Sequence, residues 1–170
     1  YKHLIPGKEY VLKGVLMDKS TGKPLVIDGE EIHAETAFTP DAPNGEVTVE
    51  FTFDSKFIKA DTDIVVFESL FKDGVELAVH ADIEDEGQTV KVKVPEIGTQ
   101  ASVDGKKEIT AKGTITVEDI VSYKNLTPGK EYTITGILMD KAAGKPFTVN
   151  GEQIRSSYTF KPETADGEVK

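Results

Sequence analysis

Cysteine and tryptophan are both absent from the 170-residue chain, and methionine occurs only twice. Without cysteine there is no disulfide, no thiolate nucleophile and no Cys-based zinc site. Any covalent staple must come from other side chains. Positive charge is scarce: 20 Lys and Arg stand against 30 Asp and Glu, a formal net charge of −10. Such a balance repels phosphate backbones, and no basic stripe interrupts it, which excludes nucleic acid as a partner. No apolar run approaches the roughly 20 residues needed to cross a bilayer, so this segment is expected to be soluble and to make no membrane contact. The chain starts at Tyr1 with neither initiator Met nor signal peptide, the pattern expected of a piece excised from a longer protein. Helical periodicity is missing throughout.

What the chain does have is an internal repeat. The stretch YKHLIPGKEYVLKGVLMDKSTGKPLVIDGEEI at residues 1–32 returns as YKNLTPGKEYTITGILMDKAAGKPFTVNGEQI at residues 123–154, displaced by 122 residues without a gap. The match continues through Phe38 and Phe160, Pro40 and Pro162, and Gly45-Glu46-Val47 and Gly167-Glu168-Val169. This period is too long for a solenoid and fits a tandem domain. Residues 1–96 read as a first unit lacking its N-terminal strand, and residues 97–170 as a second lacking its C-terminal part. The junction falls at Pro95-Glu96-Ile97-Gly98.

The pattern within each unit is β. Residues 47–53 alternate strictly, with Val47, Val49, Phe51 and Phe53 on one face, and predict a half-buried strand. Tyr10, Leu12, Gly14 and Leu16 share a face, as do Tyr132, Ile134, Gly136 and Leu138, each set following a Pro-Gly turn. Residues 64–71 form an apolar run broken only by Glu68 and Ser69, expected to be buried on both faces. Residues 89–94 place Val90, Val92 and Val94 inward and Lys91 and Lys93 outward. Asp-Gly at 73–74 and 104–105 and Asn-Gly at 44–45 and 150–151 mark turns between these strands. Short strands at this spacing predict an all-β, Ig-like antiparallel sandwich in tandem copies.

Several polar residues fall on inward positions. Gln88 extends the face of Val90, Val92 and Val94. Thr99 shares one with Ile97, Ala101 and Val103, and Asp119 shares one with Ile115, Val117, Val121 and Tyr123. Glu68 lies between Phe67 and Leu70 in the most apolar strand. Unpartnered polar groups in a core cost several kcal/mol, so these are expected to converge in a dry interior. A hydroxyl, a primary amide and carboxyls together point to acyl chemistry.

The strings Val66-Phe67-Glu68, His80-Ala-Asp82-Ile-Glu-Asp85-Glu-Gly-Gln88-Thr89, Ile97-Gly98-Thr99-Gln-Ala101 and Asp119-Ile-Val121-Ser-Tyr123 followed by Leu126-Thr-Pro128-Gly129 carry a resemblance. In that order they resemble the Thr-Gln ester-bond domains, or VaFE repeats, of Gram-positive surface adhesin stalks. The resemblance covers essentially the whole chain. It implies an Ig-like sandwich in which a Thr of the first strand and a Gln of the last are joined by an ester. Carried over by motif, Thr99 is the nucleophile of the second unit and Gln88 the acyl donor of the first, while His80, Glu68 and Asp119 assist. It implies a structural stalk module on the outside of the cell wall, self-crosslinked in a single turnover, not an enzyme and without cofactor or metal.

The residue types suit that chemistry. A Thr hydroxyl needs a base, and imidazole, with an ordinary pKa near 6.5, is the natural one. A neutral carboxyl, for which Glu68 is the better candidate, would stabilise the oxyanion, and Asp119 would orient the hydroxyl or the imidazolium. Each residue also has a plainer reading: Thr99 as a β former, His80 as a surface residue, Gln88 as a turn cap, Glu68 as a structural partner, and residues 82–87 as a solvated or calcium-holding loop. The joint pattern favours the ester. Two other classes compete with it, an Ig-like adhesin module that binds a host protein or glycan through its loops, its ligand unknown, and a turnover enzyme. The register separates Gln88 and Thr99 into different units, so no ester is expected between them. Their partners are expected from neighbouring repeats or strands of the same array.

Overall fold

A computed structural model describes residues 1–170. The chain divides into two compact units, Tyr1–Val94 and Pro95–Lys170. The first contains β1 (Tyr10–Asp18), β2 (Lys23–Pro24), β3 (Val26–Ile27), β4 (Glu30–Glu31), β5 (His33–Phe38), β6 (Thr62–Lys72), β7 (Val75–His80) and β8 (Thr89–Val92). The second contains β9 (Glu96–Ser102), β10 (Glu118–Lys124), β11 (Tyr132–Ile137), β12 (Met139–Asp140), β13 (Lys145–Pro146), β14 (Thr148–Val149), β15 (Glu152–Gln153), β16 (Arg155–Phe160) and β17 (Gly167–Val169). The fold is all-β, two tandem sandwich repeats, and no helix is long and apolar enough to cross a membrane.

In the first unit β1 and β6 are the centre of the main sheet. β1 pairs antiparallel with β5 from Tyr10↔Phe38 to Val15↔His33 and with β6 from Val11↔Phe71 to Asp18↔Ile64. Two strands then share one edge of β6. β8 occupies its first part, from Thr62↔Val92 to Val65↔Thr89, and β7 its last, from Glu68↔His80 to Lys72↔Val75. The chain therefore leaves the edge at His80 and rejoins it at Thr89, and residues 81–88 loop out between the two. This handover builds the site described below.

The core gathers at one end of the sheet, where Leu16, Leu25, Ile27, Ile58 and Ile64 pack with Phe51, Phe53, Val66 and Val92. The even face of β1 is the buried one, as its alternation predicts. Val65 is fully enclosed, so Val65→Ala is expected to cost about 2 kcal/mol, read as a lowered denaturant midpoint at unchanged m-value.

Three expectations are corrected. Only Ile64 and Val65 of the apolar run are buried; from Val66 to Phe71 the strand is half-exposed, with Glu68 and Leu70 bordering an open cavity and the Lys13 ammonium over the Phe71 ring. Residues 47–53 show the expected alternation of covered and exposed side chains but join no ladder. Val90 is 57% exposed, since β8 is an edge strand and the cover over that end is incomplete.

The turns follow their chemistry with one exception. Asp73-Gly74, Asp104-Gly105 and Asn150-Gly151 all have positive φ at both residues, which is what tight hairpins with primed turns require. Asn44-Gly45 does not. There Asn44 accepts from the His3 amide (2.9 Å), and Gly45 exchanges backbone bonds with Tyr1 (2.8 and 3.1 Å), where a Cβ would run into the Tyr1 ring. This is the start of a strand pairing, not a turn.

The second unit repeats these details. Asn125 donates to Asp166 as His3 does to Asn44, Gly129 to Pro162 as Gly7 to Pro40, and Thr127 to the Tyr132 hydroxyl as Ile5 to that of Tyr10. Tyr123 pairs with Gly167 as Tyr1 does with Gly45. Here, however, β10 continues on the far side of that pairing, with β17 on one edge and β9 on the other, from Glu118↔Ser102 to Lys124↔Glu96. The inward face expected for β9 stands open, with Ile97 65% exposed, because β9 is an edge strand with no sheet over it.

Candidate functional site

The handover along β6 sets His80, the last residue of β7, opposite Glu68, and returns Gln88 to the same place just before β8. The His80 Nδ1 accepts from the Gln88 Nε2 amide at 3.1 Å. Its other nitrogen, Nε2, lies 2.9 Å from Asp85 Oδ2. An amide nitrogen can only donate and a carboxylate only accept, so the partners assign the neutral ring its proton on Nε2 and its lone pair on Nδ1. The result is a line of carboxylate, imidazole and primary amide.

The loop is built to hold this line. Asp85 caps a single 3-10 turn, Glu86–Gln88, its Oδ1 accepting from the Gly87 amide at 2.7 Å while its Oδ2 faces the ring. Thr89 Oγ1 donates to the Asp85 carbonyl at 2.8 Å, and Asp82 Oδ1 accepts from the Glu84 amide at 3.0 Å. The carboxylates are thus spent on the loop itself, and no group of three or more His, Asp or Glu side chains is placed to hold a metal ion.

Lys19, from the end of β1, closes over the loop with its Nζ 2.9 Å from Glu86 and 3.4 Å from Glu84. The hydrogen bond to Lys19 holds the Glu86 carboxyl below its ordinary range, and the bond to Glu86 raises the Lys19 ammonium above its own. A lowered carboxylate contributes above its unfolded pKa and fades as pH falls through the folded value. A raised ammonium contributes below its unfolded pKa and fades as pH rises through the folded value. The latch is expected to be intact between about pH 5 and 10 and to loosen beyond either limit. Hydrogen exchange at residues 84–88, faster at pH 3.5 than an extrapolation from pH 6 allows, would show this; Lys19→Met should remove the difference.

Glu68 is half-buried, His80 is exposed and Gln88 is intermediate; no polar side chain is fully buried. The dry interior expected from the sequence is instead an open cavity of about 510 Å³, bordered by Leu12, Glu68, Leu70 and His80 on one side and by Tyr1 and Val47 on the other. The backbone bordering it at 47–53 is the segment without a ladder partner.

Thr99 and Asp119 lie in the second unit. Thr99 is opposite Val121 and Asp119 opposite Ala101, so Thr99 and Asp119 share one face of the β9–β10 hairpin; both are exposed, while Val121 and Tyr123 on the same face are buried. A cavity of about 350 Å³ lies against this face, lined by Asp119, Val121, Ile134, Gly136 and Val169. By the repeat, Ile134, Gly136 and Val169 correspond to Leu12, Gly14 and Val47. The two cavities are therefore the same part of the fold, one lined by Glu68 and by His80, which Gln88 contacts, and the other by the hairpin strand with Asp119. Sequence reasoning missed Asp85; its signal is the spacing His80-x4-Asp85-x2-Gln88.

The chain belongs to the family of T-Q ester bond containing domains, whose model matches residues 1–92 and again residues 95–170. A solved structure of a bacterial adhesin from Mobiluncus mulieris, containing intramolecular disulfide, isopeptide and ester bond cross-links, aligns with 97% of this chain and 84% of its own at 15% identity and a TM-score of 0.42. No curated protein matches the chain.

Proposed function

We propose that the chain is a structural module of a bacterial cell-surface adhesin stalk, reinforced by a Thr-Gln ester that each complete repeat makes for itself. The observation that carries this reading is the Asp85–His80–Gln88 line, whose imidazole borders a cavity that Glu68 also lines. Gln88 is the acyl donor. Its acceptor is the Thr of a hairpin like β9–β10, laid along residues 47–53 as the repeat prescribes. The pairing of Tyr123 with Gly167, transferred to Tyr1 and Gly45, puts the position of Val121 opposite Val47 and that of Asp119 opposite Val49. Asp119 then lies against the Gly14 position, which pairs with Glu68.

In the reaction His80 Nδ1 takes the proton of the Thr hydroxyl as Oγ attacks the Gln88 Cδ. Glu68, in its protonated form, donates a hydrogen bond to the developing oxyanion, Asp119 orients the hydroxyl, and the proton passes from Nδ1 to the amide nitrogen. One C–O bond forms, one C–N bond breaks, and ammonia leaves. Effective molarity in the covered cavity supplies roughly 7–11 kcal/mol, so neither cofactor nor turnover is needed. With no cysteine available, a side-chain ester gives the covalent reinforcement that an exposed surface of a Gram-positive cell wall requires.

The test is a completed repeat, in which residues 96–122 are duplicated ahead of Tyr1 of the full chain. Its intact mass under denaturing conditions is expected to be one ammonia below the calculated value. The full calculated mass after prolonged incubation would refute the reading.

A further inference from the structure

We infer that Lys19 is a positioning residue for ester formation: by bridging Glu84 and Glu86 it fixes the loop that returns Gln88 to His80. This rests on the ester reading above and assigns a role to a residue outside the motifs that carry that reading. β8 pairs with β6 as far as Val65 and β7 pairs from Glu68 onward, so only Val66 and Phe67 separate the two along that edge. Residues 81–88 are far longer than this gap, so the course of the loop depends on what holds it. Its inner bonds, from the Asp85 amide to the Asp82 carbonyl at 3.2 Å and from the Gln88 amide to the Asp85 carbonyl at 3.1 Å, shape the loop without tying it to its surroundings. Lys19 supplies an outside tie. Its backbone amide donates to the Asp63 carbonyl of β6 at 2.9 Å, and its Nζ lies 2.9 Å from Glu86 Oε1 and 3.4 Å from Glu84 Oε2. Glu86 opens the 3-10 turn that Gln88 closes, so this bond sets the turn against the strand that bears Glu68.

Charge gives the bridge its leverage. Asp82, Glu84, Asp85 and Glu86 set four carboxylates within five residues. Lys19 brings an ammonium among them on a side chain only 18% exposed, where solvent screens it less than it does a surface pair. Lys91, a second cation close enough to act on Glu86, is spent on Asp63 at 3.4 Å. The turn that carries Lys19 is itself held, because Asp18 Oδ1 accepts from the Ser20 amide at 2.8 Å and from the Ser20 hydroxyl at 2.7 Å. Without the ammonium the carboxylates repel one another across the loop. Gln88 then loses the fixed approach to Nδ1, 3.1 Å away at rest, that a single attack on its Cδ requires. The second copy keeps this lysine as Lys141, although Ser20-Thr21 beside it is replaced there by Ala142-Ala143.

The experiment has two arms. In the completed repeat, Lys19→Met keeps the aliphatic stem and removes the charge. It is expected to slow ammonia loss roughly tenfold, between the few-fold effect of one exposed ion pair and the 10²-fold effect of a misplaced reacting group. Lys19→Arg is expected to react within about threefold of the native rate, since it keeps the charge. Lys19→Glu combined with Glu86→Lys is expected to react faster than Lys19→Glu alone, a recovery that lost packing cannot give. In the 170-residue chain, the nuclear Overhauser contact between the Gln88 side-chain amide and the His80 ring is expected at full strength in the native protein and weakened in Lys19→Met. A Lys19→Met repeat reacting at the native rate, an Arg variant as slow as the Met variant, or a charge exchange without recovery would overturn the assignment. A native completed repeat that never loses ammonia removes the ester reading itself, while the Overhauser contact still decides whether Lys19 holds Gln88 to the ring.

Discussion

A completed repeat carrying His80→Ala is expected to form its ester about 10²- to 10⁴-fold more slowly than the native one, the contribution usual for a positioned acid-base group. The expectation follows from where the ring stands. Nδ1 stands 3.1 Å from the Gln88 amide nitrogen, and the ladder pair with Glu68 keeps His80 at the border of the cavity. Quantifying the ammonia-deficient species over time by intact mass gives the rate directly. Gln88→Ala should give no such species at any time. If His80→Ala reacted at the native rate, proton transfer would have to run through another group, and the role given to the imidazole would fail.

The second large effect is on stability. A Thr on the duplicated hairpin joined to Gln88 closes a loop of about 110 residues, and a crosslink of that span restricts the unfolded chain by roughly 4–5 kcal/mol. For a domain of this size that is a rise in Tm of roughly 15–25 °C. Replacing the Thr in the duplicated hairpin by Ala, while leaving the noncovalent strand pairing in place, isolates this term. Calorimetry of the two forms is expected to show the linked repeat melting higher by that margin and resisting protease at temperatures where the Ala variant is degraded. Equal melting temperatures would mean that the ester does not provide the endurance ascribed to it.

Legibility in the sequence varied with what each residue reports. The repeat was plain because paired details such as His3 and Asn125, or Tyr10 and Tyr132, occupy identical backbone roles in both units. Asp73-Gly74 and Asn150-Gly151 were readable because left-handed φ at both positions is a local demand. Asn44-Gly45 was misread because the same dipeptide there serves a pairing with residue 1, which no local signal contains. Alternation in residues 47–53 told which side chains face the core but not whether a neighbouring strand is paired. A period of two is a property of the chain; a ladder belongs to two chains' worth of backbone.

The site was legible in part for the same reason. His80 and Gln88 could be named from motif order, and the structure places them in contact. Glu68 was expected to be sealed because its neighbours are apolar, yet burial depends on what covers the sheet, and that end of the first unit is open. Asp85 escaped notice because an acidic loop reads as solvated. Only the 3-10 turn, which aims one carboxylate oxygen at a backbone amide and the other at the ring, brings it to His80.

The central claim is that Gln88 is an acyl donor to a Thr on a β9–β10-type hairpin. Peptide mapping of the completed repeat tests it most directly. The account predicts one branched species joining the Gln88 peptide to the duplicated copy of residues 97–103, cleaved by hydroxylamine, with Thr99 of the second unit recovered unmodified. Recovery of Gln88 as an unmodified amide in the folded, completed repeat would contradict it.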